Sequence, residues 1–297
     1  MTQPPESPVA IIGLGLMGEV FARRLLDAGI PVAGYDIDAA RRMRLAEIGG
    51  RPVDTIAALA GQARTFLVAV FNTDQVEEVV ERQLLPALGD SAHAIVLCMS
   101  TCDPDRVAAL ADRVGRRGIR YVDCPVSGTS DQVRRGDGVA LIGGDPAIAT
   151  EIKPVFAALF ARTFHVGKVG DGGRAKLVVN LILGVNRLAL AEGLVFAERL
   201  GLDPAAFLDV ARGSASYSQV MDTKGPKMVR GDFTPEGRVK QTFKDAQLML
   251  SQAAKVGQQL PLLSVHADVL EACLRAGEGE KDNSIIIEEV RRRTVKA

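Results

Sequence analysis

Short apolar runs separated by amphipathic stretches fill the first half of the chain. Val9-Ala-Ile-Ile12 reads as a buried strand, and a helical pattern follows from Met17 to Ala28. Pro31 to Tyr35 predicts a second strand, followed by a charged helix over Asp38 to Ile48. Thr65–Val70, Ala94–Cys98, Ile119–Val122, Val139–Ile142 and Thr163–Val166 predict further strands. Between them, helices fit Thr73–Leu85, Asp103–Val114 and a stretch near Ala147–Phe160. Strands alternating with helices imply βαβ units and a mainly parallel sheet.

After Val166 the pattern changes. Gly167-Lys-Val-Gly-Asp-Gly-Gly173 is a glycine-rich turn, and no strand is predicted beyond it. A long apolar helix runs from about Arg174 to Leu200. Gly201-Leu-Asp-Pro204 ends it, with Asp203 and Pro204 as N-cap and first position of the next helix. Helices also fit Lys240–Val256, Leu262–Ala276 and Ser284–Arg293. A domain boundary is therefore expected near residue 167, giving one domain over 1–167 and a helical one over 168–297.

The glycines at the first strand-to-helix turn carry the first chemistry. Gly13-Leu-Gly-Leu-Met-Gly18 has the spacing G-x-G-x-x-G, after a predicted strand and opening a predicted helix. Such a turn lets backbone approach a pyrophosphate, and the helix start offers free N–H groups and a positive dipole end. Gly13, Gly15, Leu16, Met17 and Gly18 are thus candidate dinucleotide contacts. Asp36 ends the second predicted strand, where an acid binds the ribose hydroxyls and repels a 2′-phosphate. NAD is favoured over NADP, although Arg41 and Arg42 lie close by; Asp38 is the better helix N-cap. Tyr35, and Phe71 and Asn72 beyond the third strand, are further cofactor candidates. The expected fold class is α/β, a Rossmann-type mainly parallel sheet followed by an all-α C-terminal domain.

Lys176 is the second feature. It is expected in or near the first turn of the long helix, where a cation opposes the dipole. Its neighbours Leu177, Val178, Val179, Leu181, Ile182 and Leu183 are apolar, so the helix should be buried. Lys176, Asn180, Gly184 and Arg187 share one helical stripe. Desolvation would lower the lysine pKa and suit it to exchange a proton with a substrate oxygen. The other reading is a lysine whose stem packs at a domain edge while its head reaches water.

Composition narrows the classes. The chain has 297 residues, 47% of them hydrophobic, and Lys+Arg and Asp+Glu both total 36. That balance gives no electrostatic case for nucleic acid or an anionic membrane. Cys98, Cys102, Cys124 and Cys273 form no CxxC pair, and with three histidines no metal site is expected. Buried reduced thiols fit a cytoplasmic protein. The polar, proline-rich Met1–Pro8 stretch is expected to be a short disordered lead-in rather than a signal peptide. The long apolar helix contains Asn180, Asn186 and Arg187, which a membrane span tolerates poorly.

Four separated motifs together resemble the β-hydroxyacid dehydrogenases, which include 3-hydroxyisobutyrate dehydrogenase and tartronate semialdehyde reductase. They are the glycine turn, Asp123-Cys-Pro-Val-Ser-Gly128, Gly170-Asp-Gly-Gly-Arg-Ala-Lys176-Leu-Val-Val-Asn180, and Lys244-Asp245. Met-Ser-Thr101 before Asp103-Pro104 also matches. The resemblance implies NAD-dependent hydride transfer on a small 3-hydroxy acid, with Lys176 as general acid/base. It implies that Ser127 and the Gly128 backbone hold the substrate carboxylate, with Thr129 next to them. Asn180 would bond the substrate or orient the lysine, Asp245 would support the site, and Thr101 and Lys244 would contact the cofactor. It also implies a homodimer or homotetramer. Three positions depart from the pattern: Thr129 for a second glycine, Val179 for a first asparagine, and Gly237-Arg238 where an aromatic is common. The glycine would enlarge a pocket, and Arg238 would be placed to bind a second anionic group. Alternatives are an imine or ketone reductase, which usually lacks the lysine, and a non-catalytic dinucleotide-binding interaction protein.

Overall fold

The computed structural model describes residues 7–89 and 94–294. Most of the expected N-terminal lead-in lies outside the described residues. The chain divides into two compact units, Met1–Lys176 and Leu177–Ala297.

In the first unit, β1 (Val9–Ile12) is flanked by β2 (Val32–Tyr35) and β4 (Thr65–Val68), with the two-residue β3 (Arg51–Pro52) outside β2. On the other side follow β5 (Ile95–Cys98), β6 (Arg120–Asp123), β8 (Val139–Gly143) and the two-residue β7 (Val126–Ser127); β9 (Arg162–Gly167) pairs with β8. From β3 through to β6 every pairing is parallel. β8 runs antiparallel to β6 and β7 and parallel to β9. This is the mainly parallel sheet that the alternation implied.

Side-chain alternation builds a core on each face. Val9 and Ile11 pack into one cluster with Phe21, Leu25, Leu67 and Leu97. Ala10 and Ile12 pack into the other with Phe66, Val68, Val96 and Leu110. The covering helices are α1 (Leu16–Asp27), α2 (Ala39–Glu47), α3 (Ile56–Ala60), α4 (Thr73–Glu77), α5 (Leu85–Leu88), α6 (Pro104–Gly115), α7 (Ser130–Arg134), α8 (Pro146–Glu151) and α9 (Lys153–Leu159).

One predicted helix changes type along its length and another is broken. Between α4 and α5, Glu78–Leu84 is π-helical, and the Leu85 N–H reaches back to Val80 just before Pro86. The stretch near Ala147–Phe160 splits at Ile152, where Pro154 supplies no N–H and disfavours helical backbone before it.

α10 (Asp171–Arg199) opens the helical region and crosses from the first unit into the second. The second unit adds α11 (Pro204–Arg212), α12 (Gln219–Thr223), α13 (Gly225–Arg230), α14 (Val239–Lys255), α15 (Pro261–Arg275) and α16 (Ile286–Arg292). Its core joins Leu188, Ala191 and Leu194 of α10 to Met249, Leu263, Leu270 and Ile286. By length and composition α10 could cross a membrane, but Asn180, Asn186 and Arg187 interrupt it.

The start of α10 is fixed by the end of β6. Asp123 Oδ1 accepts the Gly170 N–H at 2.9 Å and Oδ2 the Gly173 N–H at 2.7 Å. Two otherwise unpaired helix-start donors are satisfied by one buried carboxylate. Burial raises its pKa from 3.8 to about 6, against the opposing pull of those two N–H groups. Its folded-state pKa is therefore above the unfolded one. The resulting stability is full below the unfolded pKa and is lost as pH rises through about 6. The amide introduced by Asp123→Asn does not titrate. Relative to that variant, the wild type should lose up to about 3 kcal/mol between pH 4 and pH 7 as the carboxyl ionises. Denaturant unfolding of both proteins across that range checks it; a pH-independent difference would contradict it.

Candidate active site

The loop after β1 has the geometry of a phosphate cradle. Gly13 has φ +96°, and a Cβ there would lie 2.4 Å from the Ala69 carbonyl oxygen. A Cβ on Gly18 would lie 1.9 Å from the Gly13 carbonyl oxygen, so α1 packs against the turn only because position 18 has no side chain. Gly15 is the N-cap of α1 and supplies no side-chain cap. The first N–H groups of α1, those of Leu16 and Met17, are left for an anion.

The acid at the end of β2 closes this loop. Asp36 is buried, and its Oδ2 accepts the Leu14 N–H at 2.7 Å while Oδ1 accepts that of Asp38 at 2.9 Å. Arg41 Nη1 approaches Oδ2 to 3.3 Å. Arg42 donates to the Asp36 carbonyl oxygen at 2.7 Å and lies over the Tyr35 ring. Asp38 caps α2 through the Ala40 N–H. A carboxylate has about four acceptor positions, so Asp36 retains capacity for ribose hydroxyls.

A serine stitches the ends of β4 and β5. Ser100 Oγ accepts the Val70 N–H at 3.0 Å and donates to the Val70 carbonyl at 2.7 Å. This fixes the backbone leading to Phe71 and Asn72 beside the segment carrying Thr101. Phe71 N–H donates to the Gln75 side chain, and Asn72 caps α4 through the Gln75 N–H. Ser100 carries no signal of its own in the sequence, since a small hydroxyl at a strand's carboxyl end makes no pattern.

Ser127 ends β7, at the carboxyl end of the β6 segment. Gly128 follows with φ +137°, a conformation side chains rarely adopt. Thr129 caps α7, accepting the Gln132 N–H while Gln132 accepts that of Thr129. Its hydroxyl is thus engaged in a reciprocal capping box.

α10 begins at Asp171, earlier than the expected start near Arg174, because Asp123 gathers the glycine turn into the helix. Lys176 therefore lies early in the second turn, near the helix start as expected, where the dipole acts less strongly than in the first turn. It is 7% exposed, so its head is not in bulk water. One helical turn further, Asn180 Nδ2 donates to Asp245 Oδ2 at 3.0 Å. A carboxylate only accepts, so the amide must turn Nδ2 to it and leave Oδ1 as its free acceptor face. Lys244 Nζ is 2.9 Å from Asp245 Oδ1. Arg238 pairs with Glu280 at 3.3 Å, so its charge is already answered. A cavity of about 520 Å³ includes Asn72 in its wall, and there Asp74, Glu77, Glu78 and Glu81 outnumber Arg82 and Arg106.

An uncapped helix start behind a glycine turn, on a sheet of order 3-2-1-4-5-6, defines a dinucleotide-binding α/β protein. Residues 8–167 match the family model for the NAD binding domain of 6-phosphogluconate dehydrogenase. Residues 170–290 match that for the NAD-binding of NADP-dependent 3-hydroxyisobutyrate dehydrogenase. The chain belongs to the β-hydroxyacid dehydrogenase family and is an NAD(P)-dependent oxidoreductase.

It is 30% identical to L-threonate dehydrogenase of Cupriavidus necator over 280 residues, 94% of each chain. It is 28% identical to 2-(hydroxymethyl)glutarate dehydrogenase of Eubacterium barkeri, over 94% of this chain and 93% of that one. A crystal structure of 3-hydroxyisobutyrate dehydrogenase from Salmonella typhimurium is similar with a TM-score of 0.87. It is 27% identical, covering 95% of this chain and 99% of that one.

The cradle yields a test that separates folding from binding. A Cβ at Gly15 would meet nothing nearer than Arg41 Nη1 at 3.7 Å, an ordinary contact. Gly15→Ala should fold with stability within about 0.5 kcal/mol of wild type. Its Kd for NAD, read by calorimetry, should rise at least about tenfold because the backbone no longer approaches the pyrophosphate. Gly18→Ala should lose stability as well, and unaltered NAD binding by Gly15→Ala would contradict the cradle.

Proposed function

We propose that this enzyme transfers hydride between NAD and a small 3-hydroxy acid or its aldehyde or keto form, with Lys176 as the general acid/base. The observation that carries the reading is the burial of Lys176, one helical turn before an asparagine held by Asp245. When bound, NAD supplies the acceptor for the hydride. In the oxidative direction the neutral Lys176 amine takes the hydroxyl proton as the carbon loses hydride and becomes a carbonyl. In the reductive direction the ammonium returns that proton to the oxygen. Asn180 presents its Oδ1 to the hydroxyl or to the lysine, and Asp245 holds the amide in that sense. Ser127 and the Gly128 N–H hold the substrate carboxylate through charge-assisted bonds, with Thr129 fixing the turn. Gly13, Gly15, Leu16, Met17, Gly18, Tyr35, Asp36, Phe71, Asn72, Thr101 and Lys244 line the cofactor. The relatives' names, an L-threonate and a 2-(hydroxymethyl)glutarate dehydrogenase, support a hydroxy acid.

NAD is preferred over NADP because the buried Asp36 carboxylate would stand against a 2′-phosphate, and Arg41 is turned onto that carboxylate. We assign the chain to the cytoplasm and to a homodimer or homotetramer. The exposed Val178, Ile182 and Phe196 share the α10 face opposite Lys176, and a second copy would cover them.

Lys176→Ala should lower kcat by about 100- to 10,000-fold on a panel of hydroxy acids while its NAD Kd stays within a few-fold. Wild-type kcat/KM should be higher with NAD than with NADP. Undiminished turnover in the variant, or the reverse cofactor order, would overturn the corresponding assignment. Ile182→Lys should shift the mass found by light scattering towards the monomer; an unchanged mass would remove α10 from the interface.

A further inference from the structure

Inside the helical unit, a second cation stands on the same line of α10 as Asn180, and nothing assigns it a role. Arg187 is 8% exposed, and its Nε and Nη1 have no hydrogen-bond partner among the described residues. His266 of α15 is 2% exposed, and neither of its ring nitrogens has one. The imidazole packs against Gly184, where a Cβ would lie 2.6 Å from its Cε1. A glycine one turn before Arg187 is thus what admits the ring.

The charges nearby do not answer Arg187. Asp282 lies close enough to act on it, but its carboxylate is taken by Lys224 at 2.9 and 3.0 Å. The N–H groups of Glu236, Gly237 and Ser284 also bond to Asp282. Burial, with Asp282 opposing, lowers the Arg187 pKa to about 10, still protonated at neutral pH. Burial and the arginine charge hold His266 neutral, at about 3. The pair therefore presents N–H donors and one net positive charge in an apolar core. Buried guanidinium N–H groups without partners, here Nε and Nη1, are unfavourable, and an anion bonded to them removes the penalty.

Position gives the anion its identity. At 100° per residue, Asn180 and Arg187 lie within about 20° of each other around α10 and about 10 Å apart along it. Long helical side chains lean back towards the helix N-terminus, the direction in which Asn180 lies from Arg187. The geometry points to Arg187, walled by His266, as a subsite for a second anionic group on the substrate, making the preferred substrates dianionic hydroxy acids. This inference rests on the hydroxy-acid reading above. It gives Arg187 the part that the sequence suggested for Arg238.

The test is ligand binding to the NAD-loaded full chain, which does not depend on turnover. Glutarate, butyrate and 3-phosphonopropionate are compared in wild type, Arg187→Met and Arg187→Lys. Wild type should bind glutarate or 3-phosphonopropionate on the order of 10- to 100-fold more tightly than butyrate. The preferred dianion distinguishes a carboxylate from a phosphate-type group. Arg187→Met should lose the ratio and, without ligand, melt no lower than wild type, since it removes a buried unpaired charge. Arg187→Lys should keep part of the ratio and serves if the methionine variant fails to fold. Equal wild-type binding of mono- and dianions overturns the subsite, as does a ratio that survives Arg187→Met. Retained discrimination with no turnover on any hydroxy acid would sink the proposed reaction and leave the subsite standing.

Discussion

One buried carboxylate joins the two halves of the chemistry. Asp123 leaves the end of β6 and takes the N–H groups of Gly170 and Gly173, which open α10. The strand that leads to Ser127 and the helix that carries Lys176 are thereby tied to a common point. The glycines around it follow from its position. A Cβ on Gly143 would lie 2.3 Å from Asp123 Oδ1, and one on Gly172 would lie 2.8 Å from Oδ2. The glycine-rich turn is thus the space a carboxylate needs to reach helix-start donors. Charge at that end of a helix is favourable, and burial opposes it.

The same contrast between satisfied and unsatisfied polar groups distinguishes the rest of the molecule. Asp282, fully buried, accepts from Lys224 and three backbone N–H groups, and it organises the turn before α14. Asp245 holds Asn180 and Lys244. Those carboxylates anchor the side chains of Lys224, Asn180 and Lys244. Arg187 Nε and Nη1 and both ring nitrogens of His266 have no such anchor among the described residues. Buried polar groups left without partners are costly, and their retention is expected where ligand supplies the missing bonds.

The strand pattern was legible because period-two alternation must serve two cores at once, as Val9/Ile11 and Ala10/Ile12 do. Strands of two residues, such as Arg51–Pro52 and Val126–Ser127, are too short to carry a period. The break at Ile152 was written in Pro154, whose local effect the amphipathic pattern concealed. In the site, the glycine turn, Asp36, Lys176 and Asn180 stand out by spacing. Ser100, Asp123 as a helix anchor, and His266 as the neighbour of Arg187 do not. Their partners are brought close by topology, across 30, 47 and 79 positions of chain.

The proposed hydroxy-acid oxidation requires Lys176 as its proton carrier. A crystal structure of the enzyme with NAD and a bound hydroxy acid tests it most directly, through the distance from Lys176 Nζ to the substrate hydroxyl oxygen. The account predicts a hydrogen bond of about 3 Å, with the carbinol carbon facing the nicotinamide. An amine turned away from that oxygen, with no water between them, would contradict it.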